Sequence, residues 1–251
     1  MRKLFHLHLV LFSVLFSFRI SAQEKELNTE YVAIYNFKFK PDSLSDRYIE
    51  DKMGLYISKD ISIIQSLNVK IRDSALSYLN KTNIRSLDFS SLPKVKFNFN
   101  IIKKHDNTIF YEKMEKVFVG YNDPPNFNWK ILNEFKVIND YKCQKAMLNF
   151  RGRDYIAWFS NDIPISDGPY KFRNLPGLIF EIQDTKNNFF FNLISFKKEI
   201  TSVKYTEKIS SVKREDFYTK KINYLENMES HFMGIDSKEK KKITYNPIEI
   251  N

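Results

Sequence analysis

The chain has almost no cysteine: of 251 residues only Cys143 is one. A lone thiol closes no internal disulfide, so the fold has to be held by packing. It also leaves no cysteine near the start of the chain for a lipid anchor. Cys143 falls in a stretch of strand character, where an unpaired cysteine serves as a small buried hydrophobe. Histidine is nearly as scarce. Of the four, His6 and His8 precede the expected mature chain, and His105 and His231 form no metal-binding pair such as HExxH, so no metal site and no cofactor is expected. No GxSxG elbow, P-loop or dinucleotide fingerprint occurs either, which removes the sequence marks of the common serine-nucleophile, phosphoryl-transfer and hydride-transfer schemes. Glycine and proline number six and eight against 23 Phe and 14 Tyr. Aromatic side chains fit a pleated, half-buried surface, so this balance opposes disorder and favours a strand-rich core.

Long apolar runs are missing as well, with one exception. Met1, Arg2 and Lys3 lead into an apolar stretch from Leu4 to Phe18, followed by Arg19, Ile20 and the small residues Ser21 and Ala22. This is the three-part layout of a secretory signal. The stretch contains His6, His8, Ser13 and Ser17 and falls short of the roughly 20 residues that cross a bilayer as a helix. The expectation is a signal peptide over 1–22, cleaved after Ala22, and a periplasmic or secreted chain with no membrane span after cleavage. A single domain is expected over 23–236, with a basic, mobile tail over 237–251. The net charge of +10 falls to +7 once Arg2, Lys3 and Arg19 leave, and it is spread over many lysines. Only the run from Lys238 to Lys242, broken by Glu239, forms a patch. Nucleic-acid binding is not expected of such an exported chain; attraction to anionic lipid or polysaccharide is the electrostatic alternative.

Periodicity assigns most of the rest. Tyr31 to Lys40 alternates, with Tyr31, Ala33, Tyr35, Phe37 and Phe39 on a buried side and Val32, Ile34, Asn36, Lys38 and Lys40 on an exposed one. Lys52–Ser58 and Ser62–Gln65 read as short strands. From Leu67 to Asn80, Ile71, Ala75, Leu76 and Leu79 recur at helical spacing. Strands follow at Val95–Lys103, Thr108–Lys113 and Glu115–Tyr121. Asn139 and Asp140 mark a hairpin between Lys136–Ile138 and Tyr141–Phe150, and Arg151-Gly152 turns the chain into Asp154–Phe159. A final hairpin joins Leu178–Gln183 to Phe189–Phe196. The period then changes: Phe217, Tyr224, Leu225, Met228 and Phe232 form one helix face, with Glu215 and Asp216 in the first turn and Gly234 at the stop. The fold class expected is mainly β with a minor α part. Its form is a curved antiparallel sheet, open as a half-barrel, with one short internal helix and a C-terminal helix packed on it.

The richest segment runs Ala157-Trp158-Phe159-Ser160-Asn161-Asp162-Ile163-Pro164-Ile165, then Asp167-Gly168-Pro169-Tyr170-Lys171-Phe172 and Asn174-Leu175-Pro176-Gly177-Leu178-Ile179. Here the chain resembles the GLPGLI family of exported proteins, whose function is unassigned. Trp129, the block Tyr141 to Ala146, Gly152-Arg153 and the closing Asn246-Pro247-Ile248-Glu249 are similar to the family pattern too, as are Ser62–Ser66 and Arg72-Asp73-Ser74. The resemblance thus covers nearly all of the expected mature chain. One departure stands out: Asn174 occupies the place of the family's first glycine. Asn is the non-glycine residue that best tolerates positive φ, so the backbone shape is expected to survive. Pro176 and Gly177 make Leu175–Leu178 a type II turn candidate, with Gly177 supplying the positive φ.

Two readings of this stiff segment compete. In one it is a rigid corner that plugs the end of the sheet with apolar side chains. In the other Trp158, Pro169, Tyr170, Phe172, Leu175, Pro176, Gly177, Leu178 and Ile179 form a binding surface for an apolar or peptide-like ligand or for an outer-membrane partner. A non-catalytic envelope protein is the first functional expectation. The rivals are a purely structural module and a carboxylate-based hydrolase using Arg153, Asp162 and Asp184, which requires those side chains to converge. Asp154, Asp162, Asp167, Glu181 and Asp184 cluster in sequence, but such residues more often cap turns or pair with Arg151, Arg153 and Arg173.

Overall fold

The computed structural model describes residues 24–82, 89–124, 126–233 and 246–250. The leader, Gly234 and the run Lys238–Lys242 lie outside the described residues, as do the side chains of Met228 and Phe232. Fourteen strands and two α-helices follow in order among them: β1 (Lys25–Asn28), β2 (Tyr31–Phe39), β3 (Ile49–Ile57), β4 (Ile61–Ser66), α1 (Leu67–Thr82), β5 (Phe99–Lys104), β6 (Thr108–Met114), β7 (Val117–Asn122), β8 (Lys130–Ile138), β9 (Tyr141–Phe150), β10 (Arg153–Ser160), β11 (Leu178–Asp184), β12 (Phe189–Lys198), β13 (Ser202–Tyr205), β14 (Ser210–Ser211) and α2 (Arg214–Met233).

Two meanders make one sheet. β2 to β7 pair in sequence order, β8 to β12 do the same, and the first long strand pairs with the last, β2 with β12, to give the order β14-β7-β6-β5-β4-β3-β2-β12-β11-β10-β9-β8. All pairings are antiparallel except the two-residue contact of β14 with β7. The sheet is curved and open, with β8 and β14 as its edges. Local turn chemistry supports this order. Asn139 and Asp140 both take positive φ (49° and 66°), the backbone that joins twisted strands without splaying them. Arg151 and Gly152 repeat the pattern at the next hairpin.

The concave face holds the main core. Ala33, Tyr35 and Phe37 of β2 are fully buried there, and the Phe37 ring stacks on Phe191 of β12 with centroids 4.0 Å apart. β2 also buries its other side. Val32 is 6% exposed and Ile34 is half-buried, because β1 and β13 form a separate ribbon that covers this part of the convex face. The side read as exposed is therefore partly covered by a second, smaller core of Leu27, Val32, Tyr56, Ile63, Tyr111 and Val203. β1, β13 and β14 are too short to show a period.

Other differences have local causes. The strand expected from Val95 begins at Phe99. β8 starts at Lys130 rather than Lys136, because a bulge between Ile131 and Phe135 hides its alternation. α1 forms where expected, yet Ile71 and Leu76 are exposed (48% and 41%), since the helix packs chiefly on β3 and β4. α2 does cover the sheet: Phe217 is fully buried and meets Phe110 and Tyr121 edge-on. Asn246–Ile250 were expected in a mobile tail. Instead Asn246 and Glu249 are buried (7% and 1%), because the body offers counter-charges and hydrogen-bond donors to them. No described helix is long and apolar enough to cross a membrane.

Candidate functional site

The segment between β10 and β11 folds inward and plugs the concave face. Tyr170, Phe172, Leu175, Leu178 and Ile179 are at most 1% exposed, and Pro169 and Gly177 are buried with them. Backbone hydrogen bonds tie the segment to itself, from Leu178 to the Ile163 carbonyl (3.0 Å) and from Ile179 to the Asp167 carbonyl (3.0 Å). The Tyr35 hydroxyl donates to the Ile179 carbonyl (2.7 Å), anchoring the plug to β2. Asn174 takes φ 71°, the positive φ expected at this position. Gly177 differs from expectation, since its φ is not positive and the type II turn does not form there. Glycine is needed for space: a Cβ would stand 1.9 Å from the Ser160 carbonyl oxygen.

Of the residues read as a binding surface, only Trp158 and Pro176 reach solvent. Trp158 is half-buried and lies under Lys136, whose ammonium is 4.6 Å from the ring centroid. The others are closed in, apart from Tyr170, which lines a cavity described below. The hydrolase trio does not converge. Arg153 and Asp184 pair (3.3 Å) at the start of β10, while Asp162 is exposed beyond its end; the seven steps from Arg153 to Ser160 alone span roughly 23 Å of extended chain. Asp184 caps a turn, accepting from the backbone of Asn188 (2.6 Å) and Phe189 (2.8 Å). Asp154 accepts from Asn149, Glu181 pairs with Lys136 and Asp167 with Lys103, so these four carboxylates have structural partners. Arg173 turns instead to the backbone carbonyls of Lys104 and Asn107.

Beside the plug lies a charged cluster that no sequence motif brings together. Lys171, 1% exposed in its side chain, meets Asp123 Oδ2 at 2.7 Å, Glu249 Oε1 at 2.5 Å and the Tyr121 hydroxyl at 3.0 Å. Arg151 donates to Asp123 Oδ1 (2.6 Å), and the Tyr170 hydroxyl donates to Glu249 Oε1 (2.7 Å). Arg214, at the start of α2, stands 3.7 Å from Glu249 Oε2. Burial alone would push the Asp123 carboxyl up, but Lys171 and Arg151 outweigh it and hold the group below the usual carboxylate range. Burial, with Glu249 adding, drives the Tyr170 and Tyr121 hydroxyls well above their ordinary value, so they remain donors. Lys171 and Glu249 both sit in blocks that resemble the family pattern, which is the one signal that pointed to them.

A cavity of about 210 Å³ opens between this cluster, the concave face and α2. Phe37, Phe39, Phe97, Phe99, Phe110 and Phe189 line it with Tyr170, while Leu225 closes it from the helix and Pro247 and Ile248 from the last described segment. Glu112 and Lys221, paired with each other, and Lys96 supply its polar lining. A larger cleft of about 480 Å³ lies between α1 and β13, on the side of the ribbon. Its lining is mixed in charge and partly self-paired, as in Lys204 with Glu24 (3.7 Å). Among the described residues no cluster of three or more His, Cys, Asp or Glu is placed to hold a metal ion.

Open curved sheet, inward plug and aromatic cavity define a mainly β protein with a walled concave face. A family model described as a protein of unknown function (Porph_ging) matches residues 151–181, which span β10, the plug and the start of β11. No curated protein matches the chain. Among solved structures it is similar to PNGF-II in a C2 crystal form, at 14% identity and TM-score 0.50, over 77% of this chain and 32% of that one. The P21 form of PNGF-II gives 15% identity and TM-score 0.49, over 75% and 32%. This chain therefore spans about a third of PNGF-II, and the likeness concerns the fold.

The buried cluster is most sensitive to loss of its central cation. Lys171→Met strands two buried carboxylates and is expected to lower stability by roughly 3–5 kcal/mol in urea unfolding, and Glu249→Gln added to it should restore part of the loss. Acid acts on the same place. Because the folded Asp123 value is depressed, its contribution is complete above the unfolded value of about 3.9 and is lost as pH falls through the folded value. Thermal melts from pH 5 downward should show that loss, and Asp123→Asn should flatten the profile while lowering stability at neutral pH.

Proposed function

We propose that this is an exported, non-catalytic binding protein of GLPGLI type, whose ligand is a compact apolar or peptide-like group, free or presented by an outer-membrane partner. The aromatic cavity carries the reading. Six Phe rings and Tyr170 are gathered around unfilled space rather than packed to closure, and apolar concavities with a few polar groups at the rim are where small ligands bind. At about 210 Å³ the space suits an aromatic or branched side chain better than a drug-sized molecule. Lys96 and Lys221 against Glu112 leave one positive charge over, which favours a ligand with an anionic end. Tyr170 links the cavity to the segment matched by the family model.

Saturation-transfer NMR with indole as the probe tests the cavity. Saturable transfer is expected for the unaltered chain, and Leu225→Trp, which fills the space from α2, should weaken it by about tenfold or more. Absence of saturation, or an unchanged response in the variant, removes the reading. Export is tested separately by sequencing the N-terminus of protein recovered from cell fractions. The mature chain should begin at Gln23, give or take a residue, outside the cytoplasm; an intact leader on cytosolic protein rejects it.

A further inference from the structure

Residues Asn246–Ile250 lie on the body as a bound peptide lies on a receptor. The Asn246 side-chain oxygen accepts from Arg153 (2.5 Å), and its amide donates to the Lys40 carbonyl (2.8 Å). Arg153 and the Tyr155 hydroxyl then donate to the successive carbonyls of Pro247 (2.8 Å) and Ile248 (2.8 Å), and the Ile250 amide donates to the Arg151 carbonyl (2.8 Å). Glu249 enters the well formed by Lys171, Tyr170, Arg151 and Arg214. Main chain and side chains of the segment are thus read in turn by groups from the end of β2, the β9–β10 turn, β10, the plug and α2.

Most of these receptor groups have partners of their own. Arg153 is held by Asp184 (3.3 Å) and by the Phe189 ring (4.7 Å to its centroid), Lys171 by Asp123 and Tyr121, and Arg151 by Asp123. A surface ordered without its occupant loses little freedom on binding. The fit also leaves something over: Glu249 Oε2 is buried without a hydrogen bond, facing Arg214 at 3.7 Å and Arg151 at 4.0 Å. The resident carboxylate is thus hydrogen-bonded through one oxygen and held through the other by charge alone.

We propose that this surface is a recognition site for an extended acidic peptide of the pattern Asn-Pro-Ile-Glu, occupied in cis by residues 246–250, and that a matching segment of another chain can replace them. Asparagine is selected by a site that both donates to and accepts from its amide, and the glutamate by a cationic well. Pro247 and Ile248 also form a wall of the aromatic cavity, so exchange would open it; the peptide site itself stands whether or not the cavity holds a ligand.

A tethered segment competes at an effective concentration in the millimolar range, so an outside peptide gains access only when the resident one is weakened. The probe is a fluorescently labelled peptide with the sequence of residues 244–250, titrated by anisotropy against the full chain and the full-chain variant Asn246→Ala/Glu249→Gln. The variant should bind it saturably, about tenfold or more tightly than the unaltered chain does. Binding should be lost when the peptide carries glutamine at the position of Glu249. A variant with a native circular-dichroism spectrum that gives no saturable binding, or binding indifferent to that glutamine, overturns the proposal. Should the double variant not fold, Asn246→Ala alone is titrated in its place: saturable, glutamate-dependent binding supports the site, and the lack of either property overturns it.

Discussion

A carboxylate can be buried only if opposite charge and hydrogen bonds are buried with it, and Lys171 meets that condition for two at once. Asp123 follows β7, Glu249 belongs to the last described segment, and Lys171 lies on the plug; Arg151 adds the β9–β10 turn and Arg214 the start of α2. Five stretches distant in sequence are thereby fixed in one relative placement. Such clusters contribute little net stability, because desolvation offsets most of the attraction, but any arrangement that leaves a member unpaired is strongly disfavoured. The position of the plug follows from this constraint, and so does the shape of the cavity beside it.

The architecture explains why a plug is needed. A twelve-stranded sheet of twisted strands curls, and an open curl exposes an apolar concave face with no second sheet to cover it. The segment between β10 and β11 fills one part of that hollow with Tyr170, Phe172 and Leu175, and α2 with Phe217 covers another. The aromatic cavity is the volume that neither reaches. Fold and candidate site are therefore one problem, since the site is what remains when the concave face has been covered from two directions.

Strands and turns that rest on local rules were legible in the sequence. The alternation of Tyr31–Phe39, the paired positive φ at Asn139-Asp140 and the ten-residue β9 all follow from side-chain period and turn chemistry. Features set by distant partners were not. Val32 and Ile34 look solvent-facing until β1 and β13, four residues each, cover them. Gly177 looks like a positive-φ residue until the Ser160 carbonyl takes the place of its side chain. For the site, Tyr170 was named from its segment, but the Phe residues around it come from β2, β5, β6, β12 and the stretch before β5, and no spacing rule gathers them. The charged cluster was hidden for the same reason: a lysine that faces two carboxylates 48 and 78 positions away reads locally as one surface charge among many.

Cys143 is fully buried in β9, and burial, with Glu181 adding and Lys136 opposing, pushes its thiol up to about 11. The thiol therefore stays protonated at neutral pH, and it is shut away from solvent. The folded chain is consequently inert toward thiol–disulfide exchange in oxidising surroundings. Cross-linking through this thiol requires that β9 first part from its neighbours β8 and β10.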